Sequence, residues 1–439
     1  MHVHAQNPER HFWTYILPAM ASQMLTGFFI IVDGFFIGQN LGDQGLAAIN
    51  LLWPLPALVL AVGLGLGSGG SVLMAAMLGA GRPAESLRAR GNAMVCLAAS
   101  TPALMAALWV SYPALLRWLG AEGELYRLAD EYCRIVILLC GAQVFNSGLN
   151  PLLRAMGRTV AAMGIMIAGL LANILLDWLF IAVFQWGMAG AAWATVAAQA
   201  LGAVLQAVAL ATAKGMGFTA PQFRPSGRLV RQTVQIGVSP FGLSLSTNVL
   251  IIFYNWQCLQ YGGAAAVATY AIMSYLLGSL QPLLSGVGEG AQPLMSLCFG
   301  AGNRLAQKRL LRRCLRLVLL LSCVLCAGTV ALRGVIPVVF GASPDTAAGA
   351  GPAVVCAGLC LPLWGVARLF SSYFYATGQS KKSLALIFGD PLVASPLCLY
   401  TLPLVFGQNG IWYSAIAAQV LLCAVLAILL RRDARRDIP

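Results

Sequence analysis

Four carboxylates stand within apolar stretches of this chain of 439 residues: Asp33, Asp177, Glu289 and Asp390. A charge inside a membrane segment is expensive, and an acid there marks an ion or substrate path by default. Asp33 lies in the run Phe28-Phe-Ile-Ile-Val-Asp-Gly-Phe-Phe-Ile-Gly38. Asp177 follows Asn173 by one helical turn, so the two side chains share one face. With the chain laid out as membrane helices, Thr195 and Tyr132 come at a similar depth, toward the outer surface. Two carboxylates, an amide and a hydroxyl converging in a low dielectric hold a proton or coordinate a small hard cation through oxygen. The plainer reading, in which each polar group only satisfies a neighbouring helix, stays open, above all for Thr195 and Tyr132. Arg368 is the one base in the middle of an apolar run rather than toward its ends. With Asp390 it reads as a structural ion pair, whereas Glu289, in a glycine-lined helix, is also open to a reading as a cavity residue that touches cationic substrate.

The elements that must carry these residues are apolar runs of about 20 residues or more, each long enough to cross a bilayer. They lie at about 12–38, 46–78, 90–115, 132–157, 160–184, 187–213, 232–259, 265–299, 314–340, 350–378, 383–405 and 409–430. The predicted fold is therefore an all-α integral membrane protein of twelve transmembrane helices. These helices form two copies of one design. Gly65-Leu-Gly-Ser-Gly-Gly-Ser-Val-Leu-Met-Ala-Ala-Met-Leu-Gly-Ala-Gly81 recurs half a chain later as Gly286-Val-Gly-Glu-Gly-Ala-Gln-Pro-Leu-Met-Ser-Leu-Cys-Phe-Gly-Ala-Gly302, and Gly190 to Gln199 recurs in nearly the same register as Gly410 to Gln419. Six helices per copy is an even number, so the repeats are parallel, two pseudo-symmetric bundles of the kind that transporters use. The predicted division is an N-terminal lobe at 1–213, a cytoplasmic linker at 214–231, a C-terminal lobe at 232–430 and a basic tail at 431–439. The polar cluster is not duplicated: Tyr254 falls opposite Asp33, Leu397 or Cys398 opposite Asp177, and Ala415 opposite Thr195.

Composition agrees with a membrane protein, at 59% hydrophobic and 9% charged residues, where a soluble domain carries roughly 25% charged. The net charge of +13 does not point to nucleic acid. Of the 27 Lys and Arg, 22 fall on one side once the helices alternate, and this positive-inside bias puts both termini in the cytoplasm. The clusters around Arg309 and Arg432 then serve topology and contact with anionic lipids. Gly65, Gly67 and Gly70 fit a dinucleotide-binding spacing, but no strand precedes them; such small residues let membrane helices approach closely. Ala19-Met-Ala21 resembles a signal cleavage site, yet Pro18 and the unbroken apolar run to Phe36 read as a retained first helix. The 12 Cys lie mostly inside apolar segments and read as small core hydrophobes rather than disulfides or a metal site.

The residues resemble the multidrug and toxic compound extrusion (MATE) transporters over essentially the whole chain. The resemblance rests on Val32-Asp-Gly-Phe-Phe-Ile-Gly38, on Gly79-Ala-Gly81 closing the second helix, and on Asn173-Ile-Leu-Leu-Asp177 with Gly187-Met-Ala-Gly-Ala-Ala-Trp-Ala-Thr-Val-Ala-Ala-Gln199. It implies an antiporter of the plasma membrane (the bacterial inner membrane) that expels organic, mostly cationic or amphipathic compounds while a proton or sodium ion moves inward, with no other cofactor. It places the cation site, for a proton or for sodium, at Asp33, Asn173 and Asp177, with Thr195 and Tyr132 in support, and a helix bend at Pro18. A subgroup of the family has acidic ligands on the seventh and tenth helices. Here those helices offer Asn248, Tyr254, Asn255 and Arg368 and no carboxylate, which leaves Tyr254, Asn255, Glu289, Arg368 and Asp390 as candidates for a substrate cavity. The expected partners are small-molecule substrates and membrane lipids, and the chain is expected to act as a monomer. A flippase for lipid-linked saccharides shares the two-lobe plan but calls for a more cationic cavity than four acids and one Arg. A lipid-modifying membrane enzyme needs a cluster of catalytic residues near one surface, and the three His all precede the first helix. A channel fits one asymmetric buried site less well than a carrier does.

Overall fold

The computed structural model describes residues 8–213, 217–339 and 344–436, and they are almost entirely helical. In chain order the long helices are α1 (Phe12–Leu52), α2 (Pro54–Gly79), α3 (Pro83–Trp118), α4 (Gly123–Leu138), α5 (Cys140–Ala155), α6 (Thr159–Asp177) and α7 (Gly187–Ala211). They continue with α8 (Gly227–Gly263), α9 (Ala265–Gly300), α10 (Arg304–Ala331), α11 (Pro344–Ala376), α12 (Ser380–Phe406) and α13 (Gln408–Arg436). Among the described residues ten helices are long and apolar enough to cross a membrane, and α4 with α5 forms an eleventh span bent by 56°. Together with α1, each of the twelve expected apolar runs is helical over most of its described residues.

Several boundaries differ from the expected ones, for example at Pro83 and Arg304, and two of the differences have a plain physical reason. The first helix runs on past residue 38 to Leu52. It stops only where Pro54, with no N–H to give, opens α2 in the first helical position. The fourth span starts at Gly123 rather than near 132. That added stretch is amphipathic: Arg127 pairs with Glu124 and Glu131, and Arg134 with Asp130, along its exposed side. Tyr132 therefore sits mid-helix in α4 rather than at its start, and the bend comes at Leu139.

The repeated Gly-Ala-Gly has a geometric cause. Gly81 and Gly302 both take positive φ, at 75° and 67°, and each closes its helix with the same two bonds. Gly81 and Arg82 donate to the carbonyls of Leu78 and Met77, and Gly302 and Asn303 donate to those of Phe299 and Cys298. This is the left-handed cap that favours glycine, built twice. A positive φ of 59° at Gly263 separates α8 from α9.

The chain divides into two compact units, Met1–Ser244 with Ser296–Asn303, and Leu245–Met295 with Arg304–Pro439. In the first unit the glycines of α2 let backbones meet: a Cβ on Gly63 or Gly67 would overlap Val144 or Gly148 of α5, and one on Gly69 would overlap the Thr233 carbonyl at the start of α8. The linker residues Ala220–Phe223 form a short turn fastened to α3. Arg90, fully buried, donates to the Gln222 side chain at 2.8 Å and the Gly217 carbonyl at 3.1 Å, and the Asn92 side chain accepts the Ser226 N–H at 2.7 Å. Every described cysteine is a free thiol, including Cys323 and Cys326 one turn apart on α10.

Candidate functional site

Four helices position the expected cluster of the first unit. α1 carries Asp33, α4 Tyr132, α6 Asn173 and Asp177, and α7 Thr195; α1 packs against α4, α6 and α7, and α7 packs against α4 and α6. A single apolar core joins Tyr132 to Ile37, one turn beyond Asp33, to Ile181, one turn beyond Asp177, and to Ala192 and Val196, which flank Thr195. The side chain of Asp33 lies outside the described residues, as does that of Asn248. Asn173 and Asp177 are completely buried, and Thr195 and Tyr132 nearly so. Neither amide atom of Asn173 nor the hydroxyl of Thr195 has a hydrogen-bond partner among the described residues. A buried amide left so costs on the order of 1–3 kcal/mol, a cost that a ligand bound there would relieve. Asp177 ends the regular α6, and the next residues, Trp178–Val183, form a π-helical turn. Such turns recur at functional sites because they re-aim the side chains beside them. Pro18 is buried inside a continuous helix, where its ring removes one backbone donor.

One helical turn from this cluster lies a cavity of about 130 Å³, lined by Leu25, Asn146, Ile165, Met166, Gly169, Leu170, Ala198, Gln199 and Gly202. Gly169 is one turn below Asn173, and Gln199 is one turn below Thr195. Gln206 donates to the side-chain oxygen of Asn146 at 2.8 Å, and Gly202 lacks a side chain because a Cβ would strike that same oxygen. Asn146, Gln199 and Gln206 carry no charge, so charge inside an apolar run does not single them out. The available signal was Gln199 itself, matched by Gln419 in the second copy.

In the second unit a cavity of about 140 Å³ takes in Tyr254, Tyr270, Trp364, Arg368, Asp390 and Gln419 among its walls. Tyr254, Arg368 and Asp390 thus come together as expected for a cavity, while Glu289 and Asn255 are not among the lining residues. Arg368 and Asp390 feel each other's charge, but no ion pair joins them. Asp390 instead accepts hydrogen bonds from the Ser395 hydroxyl at 2.7 Å and the Gln419 amide at 3.0 Å, and the Arg368 guanidinium lies over the Trp364 ring, 4.8 Å from its centroid. The expected pair is replaced by an acid held by neutral donors and a cation on an aromatic face. Glu289 is half-buried on α9, where neighbouring Gly288 presses against Ser372 of α11, one turn from Arg368.

The MatE family profile matches residues 18–179 and again 240–399, one match on each copy of the repeat. The chain belongs to the MatE family. It is 23% identical over 424 residues to a multidrug export protein, MepA, of Staphylococcus haemolyticus, covering 95% of this chain and 91% of that one. In fold it matches an outward-facing multidrug-resistance MATE transporter of the MOP superfamily with a TM-score of 0.90, at 22% identity over 96% of this chain and 95% of the other. A MOP-superfamily transporter from Pyrococcus furiosus matches at 0.91, again 22% identical, over 97% and 96%. The family is one of multi-pass membrane transporters, in keeping with the spans described above.

Proposed function

We propose that this chain is a cation-coupled antiporter that exports organic, mostly cationic or amphipathic compounds by exposing its sites alternately to the two sides of the membrane, with proton or sodium as the coupling ion. The observation that carries this reading is the unanswered Asn173 amide, one turn from the buried Asp177 at a π-helical turn. Oxygen ligands in that setting suit a proton or a small hard cation, and the similarity to multidrug export proteins supports small drug-like compounds as cargo. Both termini are cytoplasmic on this reading, from the skewed distribution of Lys and Arg. The cation drives transport only insofar as it binds one conformation better than the other.

Vesicles containing the protein, loaded with a fluorescent cation such as rhodamine 123, test the reading under separately imposed proton and sodium gradients. Export is expected with one gradient and not the other. Release that ignores both gradients ends the antiport reading.

A further inference from the structure

The cavities of the two units occupy the same place in the repeat, and only one of them is charged. In the register that sets Gly286 on Gly65, Ser246 takes the place of Leu25 and Asp390 that of Gly169; within one position of it, Arg368 takes the place of Asn146, Gln419 that of Gln199 and Leu422 that of Gly202. The first copy leaves about 130 Å³. In the second the equivalent space falls to about 20 Å³, because Asp390, Arg368 and Leu422 fill what Gly169, Asn146 and Gly202 leave open. The volume reappears farther along, against Tyr254 and Tyr270, and Arg368 and Asp390 border both parts.

We infer that this second-unit cavity is a recognition site for the carboxylate of an aromatic zwitterion, seated on Arg368 with its ring against the Tyr254–Tyr270 wall. The inference rests on the export reading above and narrows its substrate class. Arg368 makes no hydrogen bond or ion pair among the described residues and lies over the Trp364 face; Asp390, Glu289 and Tyr375 act on it only through their charges. A guanidinium stacked on an aromatic ring keeps its edge free, and that edge is the fork which matches a carboxylate bidentately. The acid beside it does not occupy the fork, since both Asp390 oxygens already accept from Ser395 and Gln419. Tyr254 and Tyr270 stack at 5.0 Å with their planes 2° apart, a flat aromatic wall. A cavity near 140 Å³ has room for one benzene-sized ring.

Charge favours a zwitterion over a bare anion. Two acids act on Arg368, Asp390 and Glu289, so a bare anion enters a setting with more negative than positive charge, whereas a zwitterion brings a carboxylate for the guanidinium and a cationic end for the acids; a bare cation leaves the fork of Arg368 unused. A phosphate with two charges meets the same acids, and Arg368 is the only basic residue among those that line the cavity. Asp390 is left to receive the ligand's ammonium or iminium end.

Two ligands of benzene size that differ at one group make the test: 4-(aminomethyl)benzoate and its methyl ester. Binding to the purified full-length protein in detergent is followed by isothermal titration calorimetry, for the native chain, Arg368→Gln and Arg368→Lys. The native chain is expected to bind 4-(aminomethyl)benzoate. Arg368→Gln is expected to weaken that binding by roughly tenfold or more, the effect of losing a charge-assisted bond, while the methyl ester, a cation relieved of a like charge, is not weakened. Arg368→Lys, which keeps the charge and the fold but not the fork, is expected to fall between. Absence of 4-(aminomethyl)benzoate binding to the native chain, or equal loss of both ligands in Arg368→Lys and any folded Arg368→Gln, overturns the inference. Because binding is read without a gradient, these outcomes are separate from a failure of coupled export.

Discussion

The two halves of this chain solve the same packing problem and diverge at one point, the cavity between the first, fourth, fifth and sixth helices of each repeat. In the first half that cavity is lined by neutral groups, and the charge stands beyond it, on Asp177, with the Asn173 amide between. In the second the charge has moved into the cavity, as Arg368 and Asp390, and the positions equivalent to Asp33, Asp177 and Thr195 hold Tyr254, Leu397 or Cys398, and Ala415. Polar satisfaction differs accordingly. Asp390 has a donor on each oxygen, whereas Asn173 has no partner for either amide atom among the described residues. In the antiport proposed above, the satisfied acid beside a stacked guanidinium serves to recognise a shape, and the unanswered amide beside a buried acid to take up and release a small ion. On that reading duplication kept the scaffold and let each half specialise in one of the two ligands.

The sharpest way to break that comparison is to neutralise one acid at a time. Asp177→Asn is expected to bring gradient-driven export of rhodamine 123 down to the level of empty vesicles, with normal insertion in the membrane. Asp390→Asn is expected to keep its response to the gradient, because its carboxylate is not placed at the coupling site. It should lower thermal stability by about 1–3 kcal/mol, the cost of disturbing bonded polar groups around a half-buried arginine. Transport and melting measurements on the two variants decide it. If both lose coupling alike, the halves do not divide the labour.

The scaffold was legible in the sequence because its signals are dense: twelve apolar runs, a repeat at half the chain length and glycines where backbones touch. Asn173 and Asp177 were legible because a polar pair at helical spacing is conspicuous in apolar surroundings. Two features were not. Arg368 and Asp390 were expected to pair, since sequence shows charges and not the neutral donors Ser395 and Gln419 that reach the acid first. The cavity in the first half was invisible because Gly169 and Gly202 contribute to it by what they lack. The same glycine can also mean different things in the two halves, and Gly67 and Gly288, equivalent positions of the repeat, show it. A Cβ on Gly67 overlaps the backbone of Gly148, which cannot turn aside; one on Gly288 comes 2.8 Å from the hydroxyl of Ser372, a side chain. Gly67→Ala is therefore expected to destabilise by about 1–3 kcal/mol, as overpacking does. Gly288→Ala should stay within about 1 kcal/mol of the native protein, since alanine's gain of roughly 0.5–1 kcal/mol over glycine in a helix offsets a small shift. Melting of the two variants in one detergent compares them, and equal losses would mean that the two helices are packed alike.

The smallest expected difference lies at the matched glutamines. Gln199 borders the neutral cavity and Gln419 holds Asp390 at 3.0 Å, so one substitution, Gln to Leu, asks two questions. In the first half it exchanges one half-buried wall group for another of similar volume, and stability should stay within about 0.5 kcal/mol. In the second it removes one of the two neutral donors that keep Asp390 away from Arg368. The expected cost is about 1 kcal/mol, and the freed carboxylate oxygen should turn toward the guanidinium. That turn has a readout which packing alone does not move: in Gln419→Leu the fork of Arg368 is partly occupied, so 4-(aminomethyl)benzoate should lose more affinity than its methyl ester. A Gln419→Leu variant that binds 4-(aminomethyl)benzoate as tightly as the native chain would mean that Asp390 never competes for Arg368, and that the spacing between the two charges is held by the backbone of α11 and α12 rather than by Gln419.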